Sequence, residues 1–481
     1  MNRMKRFLSL ILILVLTVSL TACRKESQHH ETVSVETGIE ELDNSDVVLP
    51  YSREDGVNPF LAESLMNQPL MPLMYDGLYE LDDRYEPQPN LAAESGYTDG
   101  ALVVRLNRDK RFSDGSEVSA DDVVYSFEQA KESPYYKNLL ADVTTAEAYG
   151  NETVVFTVGT QSVFETALLT FPVVKAGSAR TEDSIPLGTG RYVYTETENG
   201  GTLTHSEQYD ASDYSAPQLY LDNMTGSDAL LYTLGIGTID ATFDDLSTGE
   251  FQRVTVSLAQ VPLNNLVMVK IRRGGMLGDS TLRKYISDLI NRSELISSGL
   301  DGYADATNLP VNPNWYFSEG QKTAETDTDK ARAALEEAFK DSKCIIVTNE
   351  DNPFKLKLAE TLADQLLVLG IESEIQALPE AQYKLAVSST SYDLAIAEYK
   401  VTPDMDISSL LDGDLKVKFQ EMQLGEATCE DFVKAWDETT PFLVIGFRNG
   451  VLAYSRGNEA DVRILPGNPY ANVYEWSSRQ D

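Results

Sequence analysis

Residues that commonly build metal centres and disulfide frameworks are scarce in this sequence. Its 481 residues include three cysteines and three histidines. The motifs Cys-x-x-Cys, His-Glu-x-x-His and Gly-x-Ser-x-Gly are all absent from it. Their absence argues against a zinc or thiol-redox site, a zinc protease and a serine hydrolase, because each chemistry needs its ligands or nucleophile at such spacings. We therefore predict no metal, no cofactor and no catalytic activity.

Two of the cysteines, Cys344 and Cys429, fall in the body of the chain. A disulfide between them is one alternative outside the cell, but sequence spacing does not establish their proximity. Because Cys344 opens the apolar run Cys-Ile-Ile-Val, which is typical of a buried strand, we predict that both thiols are free.

Positive charge is also scarce. Lys and Arg total 39 against 76 Asp and Glu, which gives a formal net charge of −37 at pH 7. A field of that sign repels phosphate backbones, so we expect no nucleic-acid partner.

One long apolar run lies at the N terminus. Three basic residues precede residues 7–20, and the run is followed by Thr-Ala-Cys23. Its 14 residues fall short of the roughly 18 that span a bilayer, so a secretory signal is favoured over a transmembrane anchor. The cysteine at the cut makes the pattern similar to a bacterial lipobox, which implies removal of residues 1–22 and acylation of Cys23. Residues 23–44 are polar and acidic and predict a flexible tether.

The first half of the remaining chain combines strands with a capped helix. Residues 102–106 and 153–158 are rich in β-formers and predict strands. Ser119 and Asp122 have the spacing of a capping box, which predicts a helix that begins after Ser119. Residues 191–205 predict a β-hairpin with its turn at Asn-Gly-Gly.

The second half has an α/β pattern. Residues 282–290 show the spacing of an amphipathic helix. Apolar runs at 344–347 and 371–375 flank a helical stripe at 358–369, and this order predicts a βαβ unit with parallel strands. Residues 392–396 predict a further strand.

Several segments, in their order along residues 57 to 400, resemble the family 5 extracellular solute-binding proteins, the oligopeptide and dipeptide binders of ABC importers. They are Met74-Tyr75-Asp76-Gly77-Leu78, Pro89-Asn90-Leu91-Ala92, Phe112-Ser113-Asp114-Gly115, Ser119-Ala120-Asp121-Asp122-Val123-Val124-Tyr125-Ser126, Pro186-Leu187-Gly188-Thr189-Gly190-Arg191-Tyr192, and Leu282-Arg283-Lys284 with Asn291-Arg292. Turn and cap chemistry accounts for most of these residues, so they identify the family without identifying the ligand.

The resemblance implies an α/β, two-lobe periplasmic-binding-protein-like fold (type II, cluster C) with an extra subdomain in the first lobe. It places the ligand between the lobes, which would close around it. The implied divisions are a first lobe at 45–263 plus 441–481, a subdomain at about 61–182, a second lobe at 264–440, and hinge crossings near 261–264 and Pro441.

The resemblance also directs attention to the segment after the strand at 392–396, where family peptide binders hold the ligand's free amine with an aspartate. Tyr399 falls where the family has tryptophan, and Thr402 falls where it has that aspartate. Three alternatives remain open: Asp404 binds the amine, Glu398 binds it, or the ligand has no free amine.

Other roles compete for the acidic residues of this segment. Asp404 and Asp406 are also typical of a solvated loop with turn or capping roles, since Ser-Ser-Leu follows Asp406. Asn58 and Tyr75 lie near segments that face the cleft in relatives, and we include both as candidate ligand-binding residues.

These features together predict a monomeric lipoprotein on the extracellular face of the cytoplasmic membrane, or on the periplasmic side in a Gram-negative source. It would capture peptides and deliver them to ABC permease subunits. One alternative is a sensory lipoprotein that binds a signal peptide. Another is a receptor for a non-peptide solute such as a metal chelate, although His205 is the one histidine beyond the tether.

Overall fold

A computed structural model describes residues 47–198, 200–226, 229–252, 255–455 and 462–476. The predicted signal peptide at 1–22, the lipidation site Cys23 and the tether at 23–44 lie outside the described residues.

Within those ranges the chain alternates strands and helices. The strands are β1 Val47–Tyr51, β2 Tyr79–Leu81, β3 Pro87–Pro89, β4 Ala92–Thr98, β5 Ala101–Leu106, β6 Val143–Tyr149, β7 Thr153–Val158, β8 Tyr192–Thr197, β9 Gly200–His205, β10 Gln218–Asn223, β11 Ala241–Asp244, β12 Ser257–Ile271, β13 Ala304–Ala306, β14 Lys343–Asn349, β15 Glu372–Leu378, β16 Leu394–Lys400 and β17 Phe442–Tyr454. The α-helices are α1 Met71–Met74, α2 Ala120–Glu132, α3 Leu230–Gly235, α4 Ser280–Leu289, α5 Arg292–Gly299, α6 Thr328–Phe339, α7 Pro353–Val368, α8 Glu380–Ser388, α9 Gly413–Gln423 and α10 Cys429–Thr439.

Two four-stranded sheets support the first lobe. One has the order β1-β10-β9-β8, with β1 parallel to β10 and the predicted hairpin β8-β9 at its edge. The other is antiparallel, has the order β4-β5-β7-β6 and lies within the residues predicted for the subdomain. The strands predicted at 102–106 and 153–158 are confirmed as β5 and β7.

Helix α2 covers the subdomain sheet and begins as its sequence predicts. The Ser119 amide donates to the Asp122 carboxylate at 2.9 Å, which closes the capping box. Val123, Phe127 and Ala130 share one helix face and are fully buried. The apolar residues at helical spacing therefore form the face that packs on the sheet.

A seven-stranded mixed sheet supports the second lobe. Its order is β11-β17-β12-β16-β14-β15, and β13 pairs with β17. Strand β14 is parallel to β15 and β16, which confirms the βαβ unit with α7 as its crossover helix. Gly370 follows α7 with a φ of 79°, a backbone conformation that glycine adopts without the steric penalty other residues meet.

The long strands β12 and β17 contribute to the cores of both lobes. The pairing register of β12 with β17 breaks between Val261 and Asn265, in the part of β12 that includes the predicted hinge crossing at 261–264. Strand β17 packs in the second-lobe core as far as Val451, and Leu452 lies in the first-lobe core. The division predicted at residue 441 stays a prediction.

Both cysteines of the body of the chain are free and buried. Cys344 lies in β14 and Cys429 begins α10. Burial raises the pKa of each thiol to about 11, so both remain protonated and poorly nucleophilic at neutral pH.

Candidate interlobe binding site

The loop that follows β16 is held to strand β12 by hydrogen bonds. The Val401 amide donates to the Asn264 carbonyl at 2.8 Å, and the Asn264 side-chain amide donates to the Thr402 carbonyl at 3.0 Å. The Thr402 carbonyl also accepts a hydrogen bond from the Met405 amide at 2.9 Å. These hydrogen bonds hold the loop at the junction of the lobes. They also fix the backbone conformation of residues 401–405.

Asp404 and Asp406 have different environments in this loop. The Asp406 carboxylate accepts from the Ser408 amide at 2.8 Å, so it has the capping role that its sequence context favours. Asp404 is only 7% exposed, so it is buried and does not lie in a solvated loop. The Asp406 amide nitrogen lies 3.4 Å from the Asp404 carboxylate. Burial raises the pKa of Asp404 to about 6, against an opposing hydrogen bond from Thr402.

A second buried carboxyl group, that of Glu165, belongs to the subdomain. Glu165 begins a short 3₁₀ helix of the subdomain and is 4% exposed. One of its carboxylate oxygens accepts from the Ser162 amide at 2.7 Å, while the other is buried without a hydrogen-bond partner among the described residues. The pKa of Glu165 is raised to about 7, mainly by burial and in smaller part by the charge of Asp404, against the opposing hydrogen bond from the Ser162 amide.

Aromatic packing joins the residue before Glu165 to the second lobe. The Phe164 ring meets Trp315 and Phe317 edge-on, with centroid distances of 4.7 and 4.9 Å. The Val163 amide donates to the Gln423 carbonyl at 2.8 Å. Val163 and Phe164 of the subdomain therefore dock on residues of the second lobe.

Glu398 is occupied by an ion pair with an arginine of β17. Arg448, whose side chain is 4% exposed, donates from Nε at 3.0 Å and from Nη2 at 2.6 Å to one oxygen of Glu398. Its remaining nitrogen donates to the Asp245 carbonyl. The adjoining cavity has a volume of about 10 Å³, which holds at most one water molecule.

The other predicted residues use their polar groups within their own lobe. The Tyr399 hydroxyl lies 2.9 Å from the Ser409 hydroxyl. Asn58 is fully buried and donates to the Thr181 carbonyl at 2.9 Å. The Tyr75 hydroxyl donates to a neighbouring carbonyl, that of Val57, at 2.8 Å. The structure therefore brings neither Asn58 nor Tyr75 to the loop that carries Asp404.

Sequence reasoning missed two residues at the lobe junction. Glu165 interrupts the run Val-Phe-Glu-Thr-Ala-Leu-Leu, and a lone acid in an apolar segment is the signal that marks it. The ammonium group of Lys400, at the end of β16, lies 5.3 Å from the ring centre of Tyr135 in the first lobe, which is a cation–π contact between lobes.

The described residues contain no group of three or more His, Cys, Asp or Glu side chains arranged to hold a metal ion. No helix within them is both long and apolar enough to cross a membrane.

Comparisons with known proteins agree with this architecture. The family model of bacterial extracellular solute-binding proteins, family 5 Middle, matches residues 86–412. Oligopeptide-binding protein AppA of Bacillus subtilis is 21% identical over 420 residues, which are 78% of this chain and 77% of AppA.

Solved structures give the same fold. The unliganded open form of the periplasmic murein tripeptide binding protein MppA superposes with a TM-score of 0.73 at 15% identity, over 89% of this chain and 96% of MppA. NikZ from Campylobacter jejuni, solved with Ni(L-His), superposes with a TM-score of 0.59 at 18% identity, over 90% of this chain and 99% of NikZ. Both neighbours support the α/β two-lobe periplasmic-binding-protein fold. Because the family model covers more than half of its length, this chain belongs to family 5 of the bacterial extracellular solute-binding proteins.

Proposed function

We propose that this protein is the membrane-anchored receptor of an ABC importer and that it captures short peptides between its lobes. Asp404 carries the proposal, because it is a buried carboxyl group at the lobe junction without an ion-pair partner among the described residues. A peptide's α-ammonium group would supply the missing positive charge. A charge-assisted hydrogen bond in a closed cleft is strong, whereas an unpaired buried charge is costly.

The relatives support peptides as the ligand class. AppA is named an oligopeptide-binding protein, and MppA is named a murein tripeptide binding protein. The proposed receptor has no catalytic step and acts as a monomer that passes its ligand to permease subunits. Cys23 would carry the lipid after removal of residues 1–22, so the protein would work outside the cytoplasmic membrane.

The test is mass spectrometry of small molecules released by denaturation from the processed protein, purified gently in detergent. We expect a population of short peptides with free amino termini. Asp404→Asn should abolish their recovery, while Asp414→Asn, which changes an exposed acid of the same lobe, should not. Recovery of one defined non-peptide compound, or of peptides from Asp404→Asn at the wild-type yield, would contradict the proposal.

A nickel–histidine complex is the second ligand to test, because NikZ was solved with one. We expect the protein not to retain the nickel–histidine complex. Nickel favours imidazole ligands, and His205 lies in strand β9, outside the candidate site. Membrane attachment needs its own assay. Cys23→Ala should move the protein from the membrane fraction to the medium or periplasm and abolish its labelling with radioactive palmitate.

A further inference from the structure

Two aromatic side chains of the subdomain are buried in the apolar core of the second lobe. Tyr85 and Phe164 belong to one cluster of buried residues, and all its other buried members lie between residues 266 and 447. The subdomain therefore does more than touch the surface of the second lobe, because it contributes two rings to the interior of that lobe.

The turn between β2 and β3 presents Tyr85 to the second lobe, and we call residues 82–86 the turn arm. The Asp82 carboxylate accepts hydrogen bonds from the Arg84 and Glu86 amides, each at 2.9 Å. Tyr85 has a φ of 59°, a left-handed conformation that is unusual for a bulky side chain. The Tyr316 amide of the second lobe donates to the Arg84 carbonyl at 2.9 Å, which fixes the turn arm to the opposite lobe.

The segment before Glu165 carries the other ring, and we call residues 162–164 the loop arm. The Phe164 ring packs edge-on against Trp315 and Phe317, the two neighbours of Tyr316 in the chain. The Val163 amide crosses to the Gln423 carbonyl. Both arms therefore meet one segment of the second lobe, residues 315–317, so a displacement of that segment from one arm also weakens its contacts with the other.

We propose that Tyr85 and Phe164 form a latch that holds the subdomain on the second lobe without any ligand, and that both arms release together before the lobes separate. The latch contacts join protein to protein, so they favour the docked form with or without a ligand. A ligand that enters between the lobes has to follow release of the latch. This inference does not depend on the ligand class of the proposed function.

Two features of the turn arm favour release. The left-handed backbone of Tyr85 is strained, and the strain is relieved when the turn is free to relax. The Tyr85 hydroxyl is buried without a hydrogen-bond partner among the described residues, so it gains hydrogen bonds to water on release. The ion pair of Arg84 with Glu319 adds little to docking, because these side chains are 46% and 76% exposed. The burial of the two rings is therefore partly offset, as a latch that opens without unfolding requires.

Hydrogen exchange of the ligand-free processed protein tests the latch, because the Val163 and Tyr316 amides donate across the lobe junction. Both amides should exchange through release of the latch, and therefore faster than the amides of β14, which lie in the core of the second lobe. Tyr85→Ala should speed exchange of the Val163 amide in the other arm at least about tenfold, since loss of a buried aromatic ring changes an equilibrium constant by more than that factor. Phe164→Ala should do the same for the Tyr316 amide.

Three controls isolate the latch. The Ala120 amide donates to the Asn151 carbonyl within the subdomain and should keep its wild-type exchange rate in both variants. Tyr149→Ala, which removes a ring of the same subdomain that is 61% exposed, should leave both interlobe amides unchanged. Tyr85→Phe keeps the ring and removes the unpartnered hydroxyl, so both interlobe amides should exchange no faster than in the wild type.

Two results would overturn the inference. If each alanine variant left the amide of the other arm at its wild-type rate, the two arms would not act as one latch. If the Val163 and Tyr316 amides of the wild type exchanged as slowly as those of β14, docking would end only with unfolding and there would be no release. Neither measurement uses a ligand, so failure of the peptide proposal would leave the latch intact.

Discussion

The substitution Glu398→Gln distinguishes a structural acid from a ligand-binding one. It replaces the partner of Arg448 by a neutral side chain of nearly the same shape. The amide oxygen of Gln still accepts one hydrogen bond from the guanidinium group, so the main change is the loss of a negative charge next to a buried positive one.

The burial of both side chains sets the size of the effect. The Arg448 side chain is 4% exposed and that of Glu398 is 22% exposed, so water compensates little of the lost charge. Removing one partner of a buried ion pair costs about 3–5 kcal/mol. We expect about 3 kcal/mol for Glu398→Gln, at the lower end, because one hydrogen bond survives. The double substitution Glu398→Gln with Arg448→Met should recover part of the loss, since no unpaired charge remains.

Urea denaturation of the processed protein at pH 7.5 measures this loss as a lower midpoint with an unchanged slope. The matched control is Glu94→Gln, which breaks an Arg–Glu pair on the subdomain surface whose side chains are 55% and 62% exposed. Such a pair contributes about 0–1 kcal/mol, so the control should unfold close to the wild type.

Peptide retention completes this test. Glu398→Gln should keep retention under conditions where the variant is folded. If it unfolded with the wild-type midpoint and lost retention, the reasoning would be refuted, because Glu398 rather than Asp404 would then be the group that meets the ligand.

The remaining predictions concern the fold and the buried acid Glu165. Gly188→Ala should destabilise the protein by about 1–3 kcal/mol in urea, because a Cβ would overlap the Met74 carbonyl, whereas Gly96→Ala, with open space around it, should change the midpoint little. Ser119→Ala should lower stability by about 1 kcal/mol, measured by thermal denaturation, through loss of the cap of α2. The pKa of Glu165 is raised from 4.5 to about 7, so its contribution to the free energy of unfolding is present below pH 4.5 and is lost as the pH rises to about 7. This contribution is at most about 3 kcal/mol, and about 1–2 kcal/mol after solvent screening. Glu165→Gln should therefore gain stability over the wild type at pH 8 but not at pH 4, and an equal gain at both would contradict the assignment.

The secondary structure was readable because its signals are local. A hydroxyl and a carboxylate three residues apart predict the start of α2, and both side chains make the expected contacts. The leucine stripe of α7 predicts a buried face, and Leu358, Leu362 and Leu366 are fully buried. Such patterns lie within one element, so no knowledge of the partner surface is needed to recognise them.

The roles of the acids were not readable because their partners are distant in the sequence. Three acids compete in and after β16, and the pattern of residues cannot say which one is already paired. Arg448, the partner of Glu398, comes from β17, and Glu165 comes from the subdomain of the other lobe. Only the arrangement of the strands and the docking of residues 162–165 decide which carboxylate has positive charge within reach.

That difference has a consequence for how the lobes close in the proposed receptor. A ligand shifts a conformational equilibrium only through contacts that differ between the two states. Glu398 already has Arg448 as its ion-pair partner, so a ligand gains no new charge pair there. Asp404 is buried without an ion-pair partner among the described residues. In the proposed receptor, an ammonium group that meets Asp404 only when the lobes close therefore also favours closure.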